Sequence, residues 1–329
     1  MFEQLGKRLL FEREDTYSLR GLCMLAIIAH HLCQWTSTRY GVFVPFPFSQ
    51  ILHDAGYLGS ALFFLLSGYG LSLSLWKKKL TFSDVIRRLS KLYLPFVYFW
   101  LIGFIIVVVS NGIPHPQVYL GLIDFTLPLA GGGRWFIISI ISLYILEITL
   151  TTLIGGGERV AYCLLGLVLV FIFAQLWLKL PQIWFNSILG FPIGSLCAAY
   201  KNEIQSINSR KWAICLLACF LLVYAMSILC GTSHYWPTSY AYFLVPVFKN
   251  LAGITLALIS IIAVSRDRIT SLVLNYIGVN SYCFFIGHQV FVTFADIIPN
   301  FLIYILFVLI STILTTWLYT VIQRVVKKV

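Results

Sequence analysis

Leu19-Arg20-Gly21-Leu22-Cys23-Met24-Leu25-Ala26-Ile27-Ile28-Ala29-His30-His31-Leu32 is an apolar run interrupted by Arg20 and a pair of histidines. Eleven residues at roughly 100° each carry a helix through about 1100°, three turns and ~20°, so Arg20 and His31 project from one face. At ~1.5 Å per residue they stand ~16 Å apart along the axis, about half the hydrocarbon thickness of a bilayer. His30 falls about 80° off that line. An ionisable group inside a membrane is costly and faces a polar cavity or a partner, which makes Arg20 and His31 a candidate site.

The rest of the chain supports a membrane setting. Its 329 residues are 60% hydrophobic and 11% charged, with a mean hydropathy of +0.90. A soluble chain of this length could not bury so much apolar surface, and the class expected is an all-α polytopic membrane protein. The net charge of +11 would suggest nucleic acid in a soluble protein. Here the cations fall in short clusters between apolar runs, the pattern of topology signals, so no nucleic-acid partner is expected. The eight cysteines show no metal-ligand spacing and sit mostly in apolar runs, so neither a metal nor a disulfide framework is expected. Residues 1–15 mix Lys7, Arg8 and Arg13 with acids and apolar side chains and read as a cytoplasmic interfacial helix.

Apolar runs long enough to cross a bilayer fall at about ten places, near 18–36, 57–76, 92–110, 134–154, 160–178, 185–200, 212–230, 241–264, 272–295 and 301–323. The sixth is short and holds Gly190, Pro192 and Gly194, and the ninth is the most polar. Ten spans put both termini on one side. With the termini cytoplasmic, only Arg39, Arg134, Lys179 and Lys249 of the 23 basic residues lie in outer segments. No connection is long enough for a soluble domain, so residues 1–329 are expected to form one integral membrane domain.

His31 is the leading candidate for proton transfer, because an imidazole can take a proton from a hydroxyl and release it near neutral pH. The competing reading is a hydrogen-bonded structural histidine. Arg20 can hold a phosphate with a fork of donors, or else anchor the helix end by snorkelling. The segment from Trp76 to Pro95 carries six cations. Arg87, Arg88 and Lys91 within it could join Arg20 in a cationic cytoplasmic mouth, or simply flank the membrane. Ser67-Gly68-Tyr69-Gly70 allows close helix packing. Gly131-Gly132-Gly133-Arg134-Trp135-Phe136 opens the fourth span, and Trp135 has the composition of an interfacial aromatic. Asn280-Ser281-Tyr282-Cys283-Phe284-Phe285-Ile286-Gly287-His288-Gln289 threads polar side chains through the ninth span. Trp35, Tyr40, Trp184, Tyr235 and Trp236 fit an outer aromatic belt better than a sugar platform.

These pieces, in this order, resemble the acyltransferase-3 family of membrane acyltransferases. Arg20 and His31 are similar to its Arg-x10-His. Phe63-Phe64-Leu65-Leu66-Ser67-Gly68-Tyr69 resembles its second-span element, and Arg88-Leu89-Ser90-Lys91 with Pro95 resembles its basic element. Trp135-Phe136 with Tyr144 resembles the fourth-span pattern, and Gly278 to His288 its late Ser-Tyr…His segment. Lys91 stands where the family carries a second arginine, Tyr17 where many members have an aspartate, and Ile140 where many have a glutamate. The resemblance implies a cytoplasmic acyl-coenzyme A donor, most commonly acetyl-CoA, and a hydroxylated acceptor such as a surface glycan, a lipid-linked precursor or a small molecule. It also implies the bacterial cytoplasmic membrane as the location.

On that basis Arg20, Arg87, Arg88, Lys91 and Trp135 are expected to bind the acyl-CoA. His31 is expected to act as general base, and Ser281, Tyr282 or His288 to hold the thioester carbonyl. Many members carry an extra extracytoplasmic hydrolase-like domain. With none in this sequence, transfer is expected to be direct or to use a separate partner protein. The alternative function is a transporter or flippase of a glycan or anionic metabolite, whose pathway the same cations and polar spans would line.

Overall fold

A computed structural model describes residues 13–77, 81–112, 117–129, 133–206, 210–232, 238–266 and 271–326. Residues 1–12 of the expected interfacial helix lie outside them, as do Lys78, Lys79, Gly131, Gly132, Tyr235, Trp236, Arg268, Lys327 and Lys328. Thirteen α-helices are described and, among these residues, no strand: α1 Arg13–Tyr40, α2 Phe48–Leu75, α3 Phe82–Asn111, α4 Gln117–Asp124, α5 Arg134–Ile154, α6 Glu158–Trp177, α7 Gly190–Ala199, α8 Lys201–Ser206, α9 Arg210–Thr232, α10 Thr238–Arg266, α11 Leu272–Val279, α12 Ser281–Val292 and α13 Phe301–Val326.

Among the described residues, seven stretches are long and apolar enough to cross a membrane: Phe48–Leu75, Phe82–Ser110, Arg134–Ile154, Glu158–Trp177, Lys211–Gly231, Ala241–Ala263 and Phe301–Val326. The three expected spans outside this set differ for physical reasons. The first is a continuous helix, α1, whose charged residues and histidines lower its hydropathy. The sixth contains only the ten-residue α7, entered through a 3-10 turn at Gln182–Trp184. The ninth is interrupted at Asn280 and becomes α11 and α12. The long helices are apolar nearly all round. In α6, Val160, Ala161, Leu164, Val168, Ile172 and Leu176 form a buried stripe, yet Val170 and Phe173 on the other side are each 66% exposed. Such a surface suits a hydrocarbon solvent and would be an aggregation liability in water.

The described residues group into two compact units. One unit takes in Met1–Cys23, Tyr57–Leu80 and Ser142–Val279. Its helices meet through small residues. A Cβ on Gly68 would strike the Phe191 backbone, and one on Gly190 or Gly194 would strike the backbone of Ala61 or Leu65, so α2 and α7 cross nearly in backbone contact. Asn250 on α10 compensates the short α7. Its Nδ2 donates to the carbonyls of Phe185 (2.7 Å) and Pro246 (3.0 Å), while its Oδ1 accepts from Leu189 N (3.4 Å). Backbone that is not helical is thereby paired inside protein, as low-dielectric surroundings demand. Glu147, Ser72 and Ser195 form a fully buried polar cluster in which Ser72 Oγ hydrogen-bonds Glu147 and lies 3.0 Å from Ser195 Oγ.

The other unit takes in Met24–Gly56, Thr81–Ile141 and Asn280–Val329. Here α12 packs on α3 and α13. Thr81 and Asp84 start α3 with a reciprocal capping box. The Tyr304 hydroxyl donates to Val292 O (3.0 Å) at the end of α12. At the far end of α1, Arg39 pairs with Asp296 at 2.8 Å, and the Tyr40 hydroxyl donates to Ile298 O at 2.6 Å.

Candidate functional site

The second unit holds a cluster of imidazoles. His31 Nδ1 and His288 Nε2 lie 3.1 Å apart, although 257 residues separate them in sequence. The pair follows from local register. Arg39 and Asp296, each eight residues farther along the chain, form the ion pair described above, so the end of α1 and the segment through α12 run side by side in one direction. Gly287 lets α12 approach closely, since a Cβ there would lie 2.8 Å from the Phe99 ring. His288 is fully buried, and its Nδ1 is 2.9 Å from Phe284 O one turn back.

Gln289, also buried, places its amide nitrogen 3.3 Å from each ring nitrogen of His31 and 3.1 Å from His288 Nε2. Gly133, with φ +81, packs its backbone against the Gln289 side chain. Phe136 and Phe285 pack with tilted rings 4.3 Å apart, Phe285 5.8 Å from the His288 ring, so polar groups are gathered inside an apolar wall. The aligned partner of Arg20 is therefore an imidazole that already has hydrogen-bonding company.

His30 points elsewhere. Its Nδ1 donates to Leu52 O at 3.2 Å, and its ring sits against Gly56 and edge-on to His53, with centroids 5.7 Å apart. The helical phase that separates the two histidines is thus realised on α1. Ser281 and Tyr282 begin α12, ~10 Å along the axis before His288, and are apart from the imidazole pair. Trp135 stands edge-on to Phe136 at 5.7 Å. Of the cations on α3, Arg87 is committed to Asp84 at 2.6 Å. Arg88 keeps its Nε buried and without a hydrogen bond, and Lys91 is exposed.

In the first unit Arg20 is held by the second-span element. Its Nη2 donates to Leu66 O at 3.3 Å, and its guanidinium carbon lies 5.9 Å from the Phe63 ring centre. Its Nε is buried and makes no hydrogen bond. So held, the guanidinium uses one of its five donors in a hydrogen bond to Leu66 O. Ser18 Oγ, two residues earlier, donates to Asn275 Oδ1 at 2.7 Å, and Gly21 and Gly278 bring α1 and α11 into backbone contact. These contacts fix the rotation of α1 about its axis at Arg20.

Two residues given no role from sequence stand out. Gln289 lay within the polar strip, but its position against both imidazoles depends on a contact between distant helices. Glu147 on α5 is a fully buried carboxylate bonded by the hydroxyls of Ser72 and Ser195. Trp35 and Tyr40 are accounted for structurally, Trp35 lying under Arg39 and Tyr40 bonding backbone carbonyls. Among the described residues, no three metal-ligating side chains converge, and all eight cysteines are free.

No curated protein and no solved structure matches the chain. A family model described as an acyltransferase domain matches residues 18–323, nearly the whole length, including Arg20, His31, the second-span element and His288. The chain belongs to the acyltransferase-3 family.

Proposed function

We propose that this protein is a membrane O-acyltransferase that moves an acyl group, most simply acetyl, from cytoplasmic acyl-coenzyme A to a hydroxyl of a glycan, a lipid-linked precursor or another hydroxylated acceptor. The observation that carries this reading is the family match over residues 18–323 together with the part-buried pairing of His31 with His288. The membrane setting is taken to be one integral domain of ten spans with both termini cytoplasmic, in a bacterial cytoplasmic membrane. The excess of cations on the inner segments supports that orientation.

In this scheme Arg20, Arg88 and Lys91 attract the donor's phosphates, with Arg87 held back by Asp84 and Trp135 beside the acyl path. A guanidinium suits this task because it stays charged and presents several donors. The pantetheine arm, on the order of 15 to 20 Å, matches the ~16 Å rise from Arg20 to His31 along α1. His31 takes the proton of the acceptor hydroxyl, and the oxygen attacks the thioester carbonyl. Gln289, the donor nearest the imidazole pair, serves the charge that develops on the carbonyl oxygen, while Ser281 and Tyr282 lie about two turns away on the same helix. Acetyl-CoA binding and turnover by the purified protein test the proposal. If the folded protein neither binds nor turns over any acyl-CoA, the transporter reading replaces it.

A further inference from the structure

We infer that His288 is a positioning residue that fixes the tautomer of His31 and so makes Nε2 of His31 the basic nitrogen. The inference rests on the acyl-transfer reading for its catalytic meaning but not for its geometry. A carbonyl oxygen only accepts, so the 2.9 Å contact to Phe284 O puts a hydrogen on His288 Nδ1. The neutral ring then carries its lone pair on Nε2. His31 Nδ1 stands 3.1 Å from that lone pair. Two lone pairs at this distance would repel, so the hydrogen between the rings belongs to His31 Nδ1, and the lone pair of His31 lies on Nε2.

Gln289 is compatible with this assignment. Its amide nitrogen, a donor, lies 3.1 Å from His288 Nε2, whose lone pair it shares with His31 Nδ1–H, and 3.3 Å from His31 Nε2, where a lone pair can receive its second hydrogen. It is equally far from Nδ1, so it does not select the tautomer by itself. His288 does, because it is completely buried and its other nitrogen is fixed by the helix backbone. The Arg39–Asp296 pair and the Tyr40 hydrogen bonds hold the register that keeps the rings in contact. A neutral imidazole backed by a carbonyl thus fills the orienting role that a carboxylate fills in serine-protease triads.

The proton count closes. The acceptor O–H breaks as the N–H forms on His31 Nε2, and the oxygen bonds to the thioester carbonyl carbon. The C–S bond then breaks, and the proton passes from Nε2 to the departing sulfur. Throughout, His31 Nδ1–H stays hydrogen-bonded to His288, which steadies the imidazolium while it exists.

The test is nitrogen-15 NMR of histidine-labelled protein in lipid nanodiscs, as wild type, His288→Met and His288→Gln, with His31 assigned by its loss in His31→Gln. Turnover and acyl-CoA binding are measured on the same samples. Expected for wild type is a protonated Nδ1 and an unprotonated Nε2 on His31. In His288→Met, His31 loses that single tautomer and kcat falls by on the order of 10² to 10⁴, with donor affinity kept. His288→Gln, whose side-chain oxygen can accept from Nδ1–H, restores both the tautomer and most of the rate. A proton on Nε2 of His31 in the wild type, or an unchanged His31 tautomer in His288→Met, overturns the inference. Should the wild type prove inactive with every acyl-CoA, the acyl-transfer reading fails while the tautomer measurement still decides this one.

Discussion

Replacing His30 and His31 one at a time separates a structural imidazole from a reacting one. His30→Ala removes a hydrogen bond to Leu52 O and a ring packed between Gly56 and His53. The hydrogen bond contributes about 0.5–1.5 kcal/mol, and loss of the partly buried ring brings the stability cost to about 2–3 kcal/mol. The His30 ring meets His31 edge-on at 5.0 Å but makes no hydrogen bond to the His31–His288 pair, so kcat should fall by less than about tenfold. His31→Ala leaves a comparable gap but removes the base, a loss of 10²- to 10⁴-fold in kcat, or about 2.7–5.4 kcal/mol of barrier. The assay pairs initial rates of acyl transfer from acetyl-CoA in nanodiscs with thermal unfolding of the same samples. Equal losses of kcat in two folded variants would refute the assignment by helical phase, as would a His31→Ala protein that retains its rate.

Other outcomes follow from individual contacts. Gly194→Ala sets a Cβ 2.8 Å from Tyr69 N at the α2–α7 crossing and should cost about 1–3 kcal/mol in denaturant unfolding. Gly166→Ala, with nothing within 4 Å, should gain up to about 1 kcal/mol from helix propensity. Arg88→Ala should raise the Kd for acyl-CoA in equilibrium binding. Arg87→Ala should leave it within about twofold, since its guanidinium is already engaged by the buried Asp84 carboxylate. Glu147→Leu removes the acceptor shared by Ser72 and Ser195, leaving them the Gly68 carbonyl and each other, and should cost about 1–3 kcal/mol, whereas Glu147→Gln keeps a polar partner and should cost less than half of that.

Much of the site was legible because it is local. The spacing of Arg20 and His31 sets their common face on α1 whatever surrounds them, and the same arithmetic turns His30 away toward Leu52. The Phe63-to-Tyr69 element was readable as a small-residue crossing, and Gly68 serves as one. Its second use, holding Arg20 through Leu66 O and Phe63, needed the contact between α1 and α2. The pairing of His31 with His288 could not be read from sequence, because its register is set by Arg39 with Asp296 and by Tyr40 at the distant ends of two helices. Gln289 carried no signal apart from its neighbours. The break at Asn280 was unreadable for a different reason: hydropathy averages over a window and does not register a single residue leaving the helix, whereas the Gly-Phe-Pro-Ile-Gly sequence from Gly190 to Gly194 did flag the irregular sixth span.

Binding and slow hydrolysis of radiolabelled acetyl-CoA, compared among wild type, Arg20→Ala and His31→Ala, probe the acyltransferase assignment most directly. Expected are saturable binding by the wild type, weakened binding with Arg20→Ala, and retained binding without turnover with His31→Ala. Folded wild-type protein that neither binds nor hydrolyses acetyl-CoA or longer acyl-CoA thioesters would contradict the assignment.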